Sequence, residues 1–485
     1  MTNPADANPV SILWFRKDLR LRDNHALQAA LADAGRVICI YVREPDDALA
    51  GALGRAQAWW LHHSLKALDA DLRRRGNHLV LMTGKSMDIV AGLAARTGAS
   101  RVVWNRRHDP EGIATDTRIK ATLRARGLEV RSFGGQLLHD PTRLMTKTGT
   151  PYRVYTPFWR AIAASGEPDQ PCEAPDSIPA PDTPPEGEDL ASWNLLPEMP
   201  DWAASFSALW TPGEQGAIDK LASFIDGAMD GYKEKRDFPG TQATSLLSPH
   251  LALGEIAPAR IWHATSGLPG QLASHDIIHF RKELVWRDFS WNLLFHNPDL
   301  ASKNLNRRFD IFPWIAHGDH LKRWQQGMTG YPIVDAGMRQ LWLHGWMHNR
   351  VRMVVASFLI KDLMIDWRLG EQWFRDTLVD ADPASNAASW QWVAGSGADA
   401  SPFFRVFNPV KQGETFDPDG DYVRTFVPEL AGMPSSHIHR PFDAPVEMLA
   451  TAGVKLGSTY PLPIVSHALA RDRALAAFHE LKDAS

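Results

Sequence analysis

The sequence predicts two unlike halves: an α/β domain wound around a parallel sheet, then an all-α domain. Three observations carry this. Short apolar runs alternate with helical patterns over the first third of the chain. A stretch dense in Pro, Asp, Glu and Ser follows, between Ser165 and Pro200. From about Phe206 onward the spacing is helical throughout.

In order, strands are expected at Val10–Phe15, Val37–Val42, His78–Met82 and Arg101–Trp104, with a weaker one near Leu128–Phe133. Helices such as Ala56–Arg74 and Ser86–Arg96 separate them, so the strands should run parallel in a doubly wound sheet. Ligands of such sheets sit beyond the carboxyl ends of the strands. No Gly-x-Gly-x-x-Gly follows the first strand, which runs instead into Arg16-Lys17-Asp18-Leu19-Arg20, so the usual dinucleotide fingerprint is absent. The Pro-rich stretch reads as a connector lying over the surface. Long helical segments are expected at Ile277–Phe295, Tyr331–Leu363 and Glu371–Val379. The expected domains are 1–135 (α/β), 136–204 (interdomain linker) and 205–485 (helical). No internal repeat is visible.

With 485 residues, 44% hydrophobic and 22% charged, the chain has the composition of an ordinary globular protein of two or three domains. No apolar run reaches the length of a membrane span, and the start Met-Thr-Asn-Pro-Ala-Asp lacks the features of a signal peptide. Cys39 and Cys172 are the only cysteines, too few for an iron–sulfur cluster or a Cys-rich zinc site. No metal is expected, and a cytoplasmic location is. The net charge of −4 argues neither for nor against nucleic acid: proteins that coat DNA nonspecifically tend to be basic overall, whereas one that grips a single lesion can manage with a local patch. Ten of the 19 tryptophans lie between Trp286 and Trp392, which suits a helical core but also stacking or electron transfer.

Four segments carry chemistry. In Trp346-Met-His-Asn-Arg-Val-Arg-Met353, a continuous helix would place Trp346, Asn349, Arg350 and Met353 on one face. Asp380-Ala-Asp-Pro-Ala-Ser-Asn-Ala-Ala-Ser-Trp-Gln-Trp392 adds two carboxylates, an amide and two indoles. A core stripe explains the Trp and Met residues but not the Asn and Arg, since buried polar groups need partners. Thr244, Ser245 and Ser248 offer hydroxyls and amides ahead of a helix, either as an anion cradle or as plain N-capping. Glu283, Trp286 and Arg287 share a helical face, as a surface ion pair or as the wall of a pocket for a planar ring.

Taken together, these motifs resemble the photolyase/cryptochrome flavoproteins. The match runs from Trp14-Phe15-Arg16-Lys17-Asp18-Leu19-Arg20 through Gly345-Trp-Met-His-Asn-Arg350 to Phe404-Arg405-Val-Phe-Asn408-Pro409, nearly the whole chain. The resemblance implies FAD in the helical domain and a light-harvesting chromophore near the α/β domain. It implies that Tyr232, Thr244, Ser245 and Ser248, with the backbone of Leu246 and Leu247, hold the FAD phosphates and nearby chain. Arg287, Asn349, Arg352, Asp380 and Asp382 would surround the isoalloxazine and ribityl groups, with Asn386 beside flavin N5. Glu283, Trp286, Asn349, Met353 and Trp392 match the lesion pocket of cyclobutane pyrimidine dimer photolyases, where the flipped lesion is read by polar edges and flat apolar faces. Arg236 and Arg350 would grip phosphates of ultraviolet-damaged DNA. Trp390, Trp367 and Trp314 match the chain that photoreduces the flavin, with Trp373 and Trp342 nearby.

The resemblance also separates subfamilies. Plant-type cryptochromes carry Asp where Asn386 stands and Tyr where Trp392 stands; photolyases for the six–four photoproduct place His at the position of Asn349. Leu246, in place of a frequent Arg, and Phe280, in place of a frequent Trp, lean toward class III photolyases. The competing functions are a flavin light sensor acting through a partner protein and a flavin oxidoreductase active in darkness. Asn105-Arg106-Arg107-His108-Asp109-Pro110-Glu111 lies where folate-binding members hold methenyltetrahydrofolate, although Ala301 and Ser302 replace the Cys and Lys some of them use. Folate is the expected antenna, with a deazaflavin or none as alternatives. A monomer with no obligate protein partner is expected.

Overall fold

In the computed structural model the described residues are 9–44, 53–268, 274–316, 318–399 and 404–483. The leader reading falls on residues 1–8 and so lies outside them. Five strands, β1 (Val10–Phe15), β2 (Arg36–Arg43), β3 (Leu79–Thr83), β4 (Arg101–Asn105) and β5 (Glu129–Phe133), form a parallel sheet in the order β3-β2-β1-β4-β5. Successive side chains point to opposite faces, so each strand feeds two cores. Leu13, Phe15, Val37, Cys39 and Val103 pack beneath α1 (His25–Leu31) and α2 (Arg55–Arg73). Ile12, Trp14, Ile38, Val102 and Trp104 pack beneath α3 (Ser86–Thr97) and α4 (Pro110–Ala125). Burial on both faces explains why the strands read as continuous apolar runs.

The segment after β5 is more than a connector. It holds a helix, α5 (Tyr155–Ala164), whose Tyr155, Phe158 and Ile162 are buried in one cluster with Val285, Phe289 and Ala387 of the helical half. The Pro-rich stretch is irregular, yet it does not simply overlie the surface. Glu188 N–H donates to Leu81 O at 2.8 Å and its carboxylate accepts from Thr83 N–H at 2.8 Å, covering the edge strand β3. Ile178 and Trp193 from the same stretch are buried.

Helices α6 (Ser274–His296), α7 (Pro332–His344), α8 (Asn349–Ser357), α9 (Trp367–Thr377), α10 (Pro383–Ala394) and α11 (His467–Asp483) frame the second half. The helix expected over Tyr331–Leu363 is broken. Gly345 ends α7 at φ 62, a left-handed turn suited to glycine, and a Cβ there would lie 2.7 Å from Phe206. His348 then restarts the helix, its Nδ1 accepting from Arg350 N–H at 3.2 Å. Trp346 falls in the gap, so it does not share a helical face with Asn349, Arg350 and Met353. It packs instead in the core beneath α2. Beyond α8 the chain widens into a π-turn, Leu363 N–H reaching Phe358 O at 3.0 Å.

The Arg16–Arg20 motif joins the two halves. Arg20 is 1% exposed, and its guanidinium donates to Gly254 O at 2.8 Å, Gly135 O at 3.0 Å and Asp23 O at 3.1 Å. Alongside it, Leu21 and Arg22 N–H donate to the Glu214 carboxylate at 3.0 and 2.9 Å. Replacing Arg20 by Met keeps the stem but leaves three buried carbonyls unpaired. We expect Arg20→Met to lower stability by about 3 kcal/mol in chemical denaturation and to lower the thermal midpoint; a midpoint equal to wild type would refute this role.

Candidate active site

Three helices bring most of the expected site residues together: α6 supplies Glu283, Trp286 and Arg287; α8 supplies Asn349, Arg350, Arg352 and Met353; α10 supplies Asn386, Trp390 and Trp392. Helix α10 packs against both α6 and α8, with the small residues Ala384 and Ala387 buried at the α6 contact. Asp382 sets its start. One carboxylate oxygen accepts from Ala384 N–H (3.0 Å) and Ser385 N–H (2.8 Å); the other accepts from Trp291 Nε1 on α6 at 2.9 Å and lies 3.9 Å from Arg287 Nε. Arg287 itself donates to Gln136 O at 2.7 Å and Leu251 O at 3.3 Å.

The rim of the site closes through a ring of contacts. Glu283 forms an ion pair with Arg236, and the neighbouring Asp237 accepts from Arg350 Nη2 at 2.7 Å. The turn Arg236-Asp237 thereby ties α6 to α8. On the opposite side, Trp286 stacks on Tyr155, and Trp392 Nε1 donates to Asp399 O at 3.1 Å. Asn349 is exposed and Met353 half-buried on the α8 side. Both arginines expected to grip phosphate are thus already paired with acids. Arg350 also covers the Phe416 ring at 4.2 Å, and its buried Nε has no partner.

The residues expected around the flavin form an inner layer. Arg352 donates to Met347 O at 2.7 Å and to Asp380 Oδ2 at 2.8 Å, leaving buried Asp380 Oδ1 without a partner. Asn386 commits its amide N–H groups to Glu371 O (3.1 Å) and Oε1 (2.9 Å), so its carbonyl oxygen is what it can offer a ligand donor. Burial raises the Glu371 carboxyl above the ordinary range, against the pull of Arg375 and the Asn386 bond. Before the short helix Ser248–Leu253, Leu246 stands at φ 53 and Leu247 at φ −87, ψ −8. A left-handed residue followed by a right-handed one turns successive N–H groups to one side, the geometry of an anion nest. Tyr232 is buried nearby with its ring 5.3 Å from the Arg236 guanidinium. A phosphate-sized nest, an orphaned carboxylate oxygen beside a guanidinium and an amide with a spare acceptor fit a phosphate-bearing, hydrogen-bonding planar cofactor such as FAD.

Trp390 and Trp367 are buried at 2% and 0% exposure, while Trp314 is half-buried; all three pack in one apolar cluster. Trp367 Nε1 donates to Asn304 Oδ1 at 2.9 Å, and Trp390 Nε1 has no partner. Trp373 and Trp342 lie stacked at 6.1 Å with 6° between their planes, Trp342 being 44% exposed.

Comparison with known proteins agrees with this architecture. Residues 11–180 match the family model described as DNA photolyase, and residues 280–480 that of the FAD binding domain of DNA photolyase. A deoxyribodipyrimidine photo-lyase of Agrobacterium fabrum is 64% identical, over 97% of this chain and 98% of its own. The chain belongs to the photolyase/cryptochrome family. Cryptochrome-1 of Arabidopsis thaliana is 38% identical over 97% of this chain and 70% of its own. The crystal structure of a bacterial class III photolyase from Agrobacterium tumefaciens superposes with a TM-score of 0.96 at 62% identity, covering 99% of this chain and 100% of that one.

Sequence reasoning missed Tyr155, Asp237, Glu371 and Asp399. The aromatic run Tyr152 to Trp159 was a usable signal for Tyr155, whereas Asp237 and Asp399 pair with groups far along the chain. A backbone cradle at Leu246 makes a prediction that separates backbone from side chain. Leu246→Gly keeps the N–H groups and relieves about 1 kcal/mol of left-handed strain, so the flavin-to-protein ratio should hold. Leu246→Pro removes an N–H and forbids the positive φ, so flavin should be lost. Equal flavin content in both variants would contradict the nest.

Proposed function

We propose that the protein is a light-driven deoxyribodipyrimidine photolyase that binds a flipped cyclobutane pyrimidine dimer of ultraviolet-damaged DNA within the rim formed by α6, α8 and α10. The observation that supports this reading is the set of contacts tying Trp286, Glu283 and Arg350 on α6 and α8, and Trp392 on α10, to fixed partners. FAD held there in its reduced form would supply light-driven, one-electron chemistry with no net redox change.

The chain's residues bind, orient and tune. Trp286 and Trp392 offer flat apolar surface to the splayed bases, Met353 fills the remaining space, and Asn349 and Glu283 meet their polar edges. Glu283, held by Arg236, offers its carboxylate oxygens to a ring N–H of the bases and so orients the dimer. Flipping costs a few kcal/mol and less for a damaged pair, which selects for lesions before any contact is made. Arg236 and Arg350 retain donors beyond those given to their acids, and the flanking phosphates take them. Arg287, Asn349, Arg352, Asp380 and Asp382 hold the flavin ring and ribityl chain, with Tyr232 and the 244–248 segment on the phosphates. The Asn386 carbonyl oxygen, its N–H groups being given to Glu371, would be the acceptor offered to the flavin. Trp314, Trp367 and Trp390 carry electrons inward to keep it reduced.

The antenna we propose is methenyltetrahydrofolate, held near Asn105–Glu111. Asn105 ends β4 where the sheet order turns outward from β1, the crevice in which doubly wound sheets bind ligands. The protein acts as a monomer in the cytoplasm, with domains 1–135, 136–204 and 205–485. Among the described residues no helix is long and apolar enough to cross a membrane.

Two measurements check the assignments. Glu283→Ala should lower repair per bound dimer under light at least tenfold, about 1.4 kcal/mol, at saturating lesion; unchanged repair per bound dimer would remove Glu283 from the chemistry. Trp390→Phe should slow light-driven flavin reduction about a hundredfold, roughly 2.7 kcal/mol, while enzyme reduced beforehand by dithionite repairs at the wild-type rate. Photoreduction at the wild-type rate would place the electron path elsewhere.

A further inference from the structure

Helix α5 starts without a local cap: Val154 precedes it and offers no side-chain acceptor to its first N–H groups. The missing acceptor comes from 244 residues away, where Asp399 Oδ2 accepts from Tyr155 N–H at 3.3 Å. Asp399 stands at φ 53, in the left-handed region that Asp tolerates better than most residues. In that conformation its backbone carbonyl accepts from Trp392 Nε1 at 3.1 Å. Tyr155 works on the other indole. Its ring lies parallel to Trp286, with centroids 3.6 Å apart and planes 4° apart, and its hydroxyl donates at 2.8 Å to Lys282 O, the residue before Glu283.

We infer that Tyr155 and Asp399 form one clamp that positions the two indoles of the lesion pocket relative to each other, a role that rests on the photolyase reading above. Neither residue touches the dimer. Tyr155 is 7% exposed, so it is a wall behind Trp286 and leaves only the opposite indole face for a base. Phe289 meets both rings edge-on, at 5.7 Å from Trp286 and 5.9 Å from Tyr155, and limits sliding of the stack. Ordinary core packing would hold Trp286 as well, but it would not link that residue to Trp392. The Asp399 carboxylate and carbonyl make that link, one on α5 and the other on α10. A clamp of this kind keeps the gap between the indoles open before DNA arrives, so binding energy is not spent on ordering them.

The test uses full-length, FAD-loaded protein and a duplex carrying one thymine dimer. Tyr155→Leu should weaken dimer-specific binding in the dark about tenfold, as loss of an aromatic stack implies. Repair per bound dimer should fall with it. Tyr155→Phe, which keeps the ring, should stay within about twofold of wild type, a rescue that general loss of packing would not distinguish by ring alone. Asp399→Gly keeps the left-handed turn and the carbonyl to Trp392 but deletes the cap, and should fall between the two. Light-driven flavin reduction without DNA should be unchanged in all three, since the Trp390, Trp367 and Trp314 route lies elsewhere. Wild-type binding by Tyr155→Leu overturns the clamp. If that variant does not fold, wild-type binding by Asp399→Gly overturns it instead. Failure of the wild-type protein to bind or repair the dimer would reject the photolyase reading itself.

Discussion

The Asp382 carboxylate is the contact on which the site depends. It starts α10 through two N–H groups and holds Trp291 of α6 through its other oxygen, 3.9 Å from Arg287. With Ala384 and Ala387 allowing close approach, the two helices meet at a defined offset. Every expected contact on α6 and α10 inherits that offset: Glu283 and Trp286 on one, Asn386, Trp390 and Trp392 on the other. A residue expected to touch the flavin is therefore also the joint that aligns the pocket.

Around that joint, charge is arranged in pairs. Arg236–Glu283, Arg350–Asp237 and Arg352–Asp380 each place a guanidinium against a carboxylate at or near the opening. The first two are partly exposed and contribute little to stability, about 0 to 1 kcal/mol each, whereas Asp380 of the third is buried. Their value is geometric. They hold long side chains ready without filling every donor, and an arriving phosphate or base edge can share them. The inner layer is drier: Asp380 Oδ1 and Trp390 Nε1 are buried without partners. Unpaired buried groups are costly in an isolated chain, and a bound cofactor offsets the cost.

Much of this was legible from residues alone. The strands announced themselves because both faces of the sheet are covered, and α6 because a 23-residue helix with turn signals at its end is hard to misread. The break between α7 and α8 was harder. Apolar spacing continues across it, and only Gly345 as a C-cap and His348 as an N-cap mark it, so Trp346 was placed on a face it does not share. The aromatic run from Tyr152 to Trp159 marks the segment of Tyr155, but the link between Tyr155 and Asp399 lay beyond reach for a different reason. Their meaning comes from a hydrogen bond spanning 244 residues, and no local pattern encodes such a partner. Likewise, Arg236 and Arg350 could be read as phosphate ligands but not as ion pairs with Glu283 and Asp237.

The proposed chemistry splits dimers with borrowed rather than consumed electrons. Single-turnover repair tests that claim most directly: fully reduced, FAD-loaded protein is mixed with a dimer-containing duplex and given a measured dose of near-ultraviolet or blue light. Dimers should disappear in proportion to absorbed photons while the flavin stays fully reduced and dark controls keep every lesion. Loss of dimers in darkness, or flavin oxidised one-for-one with repair, would contradict it.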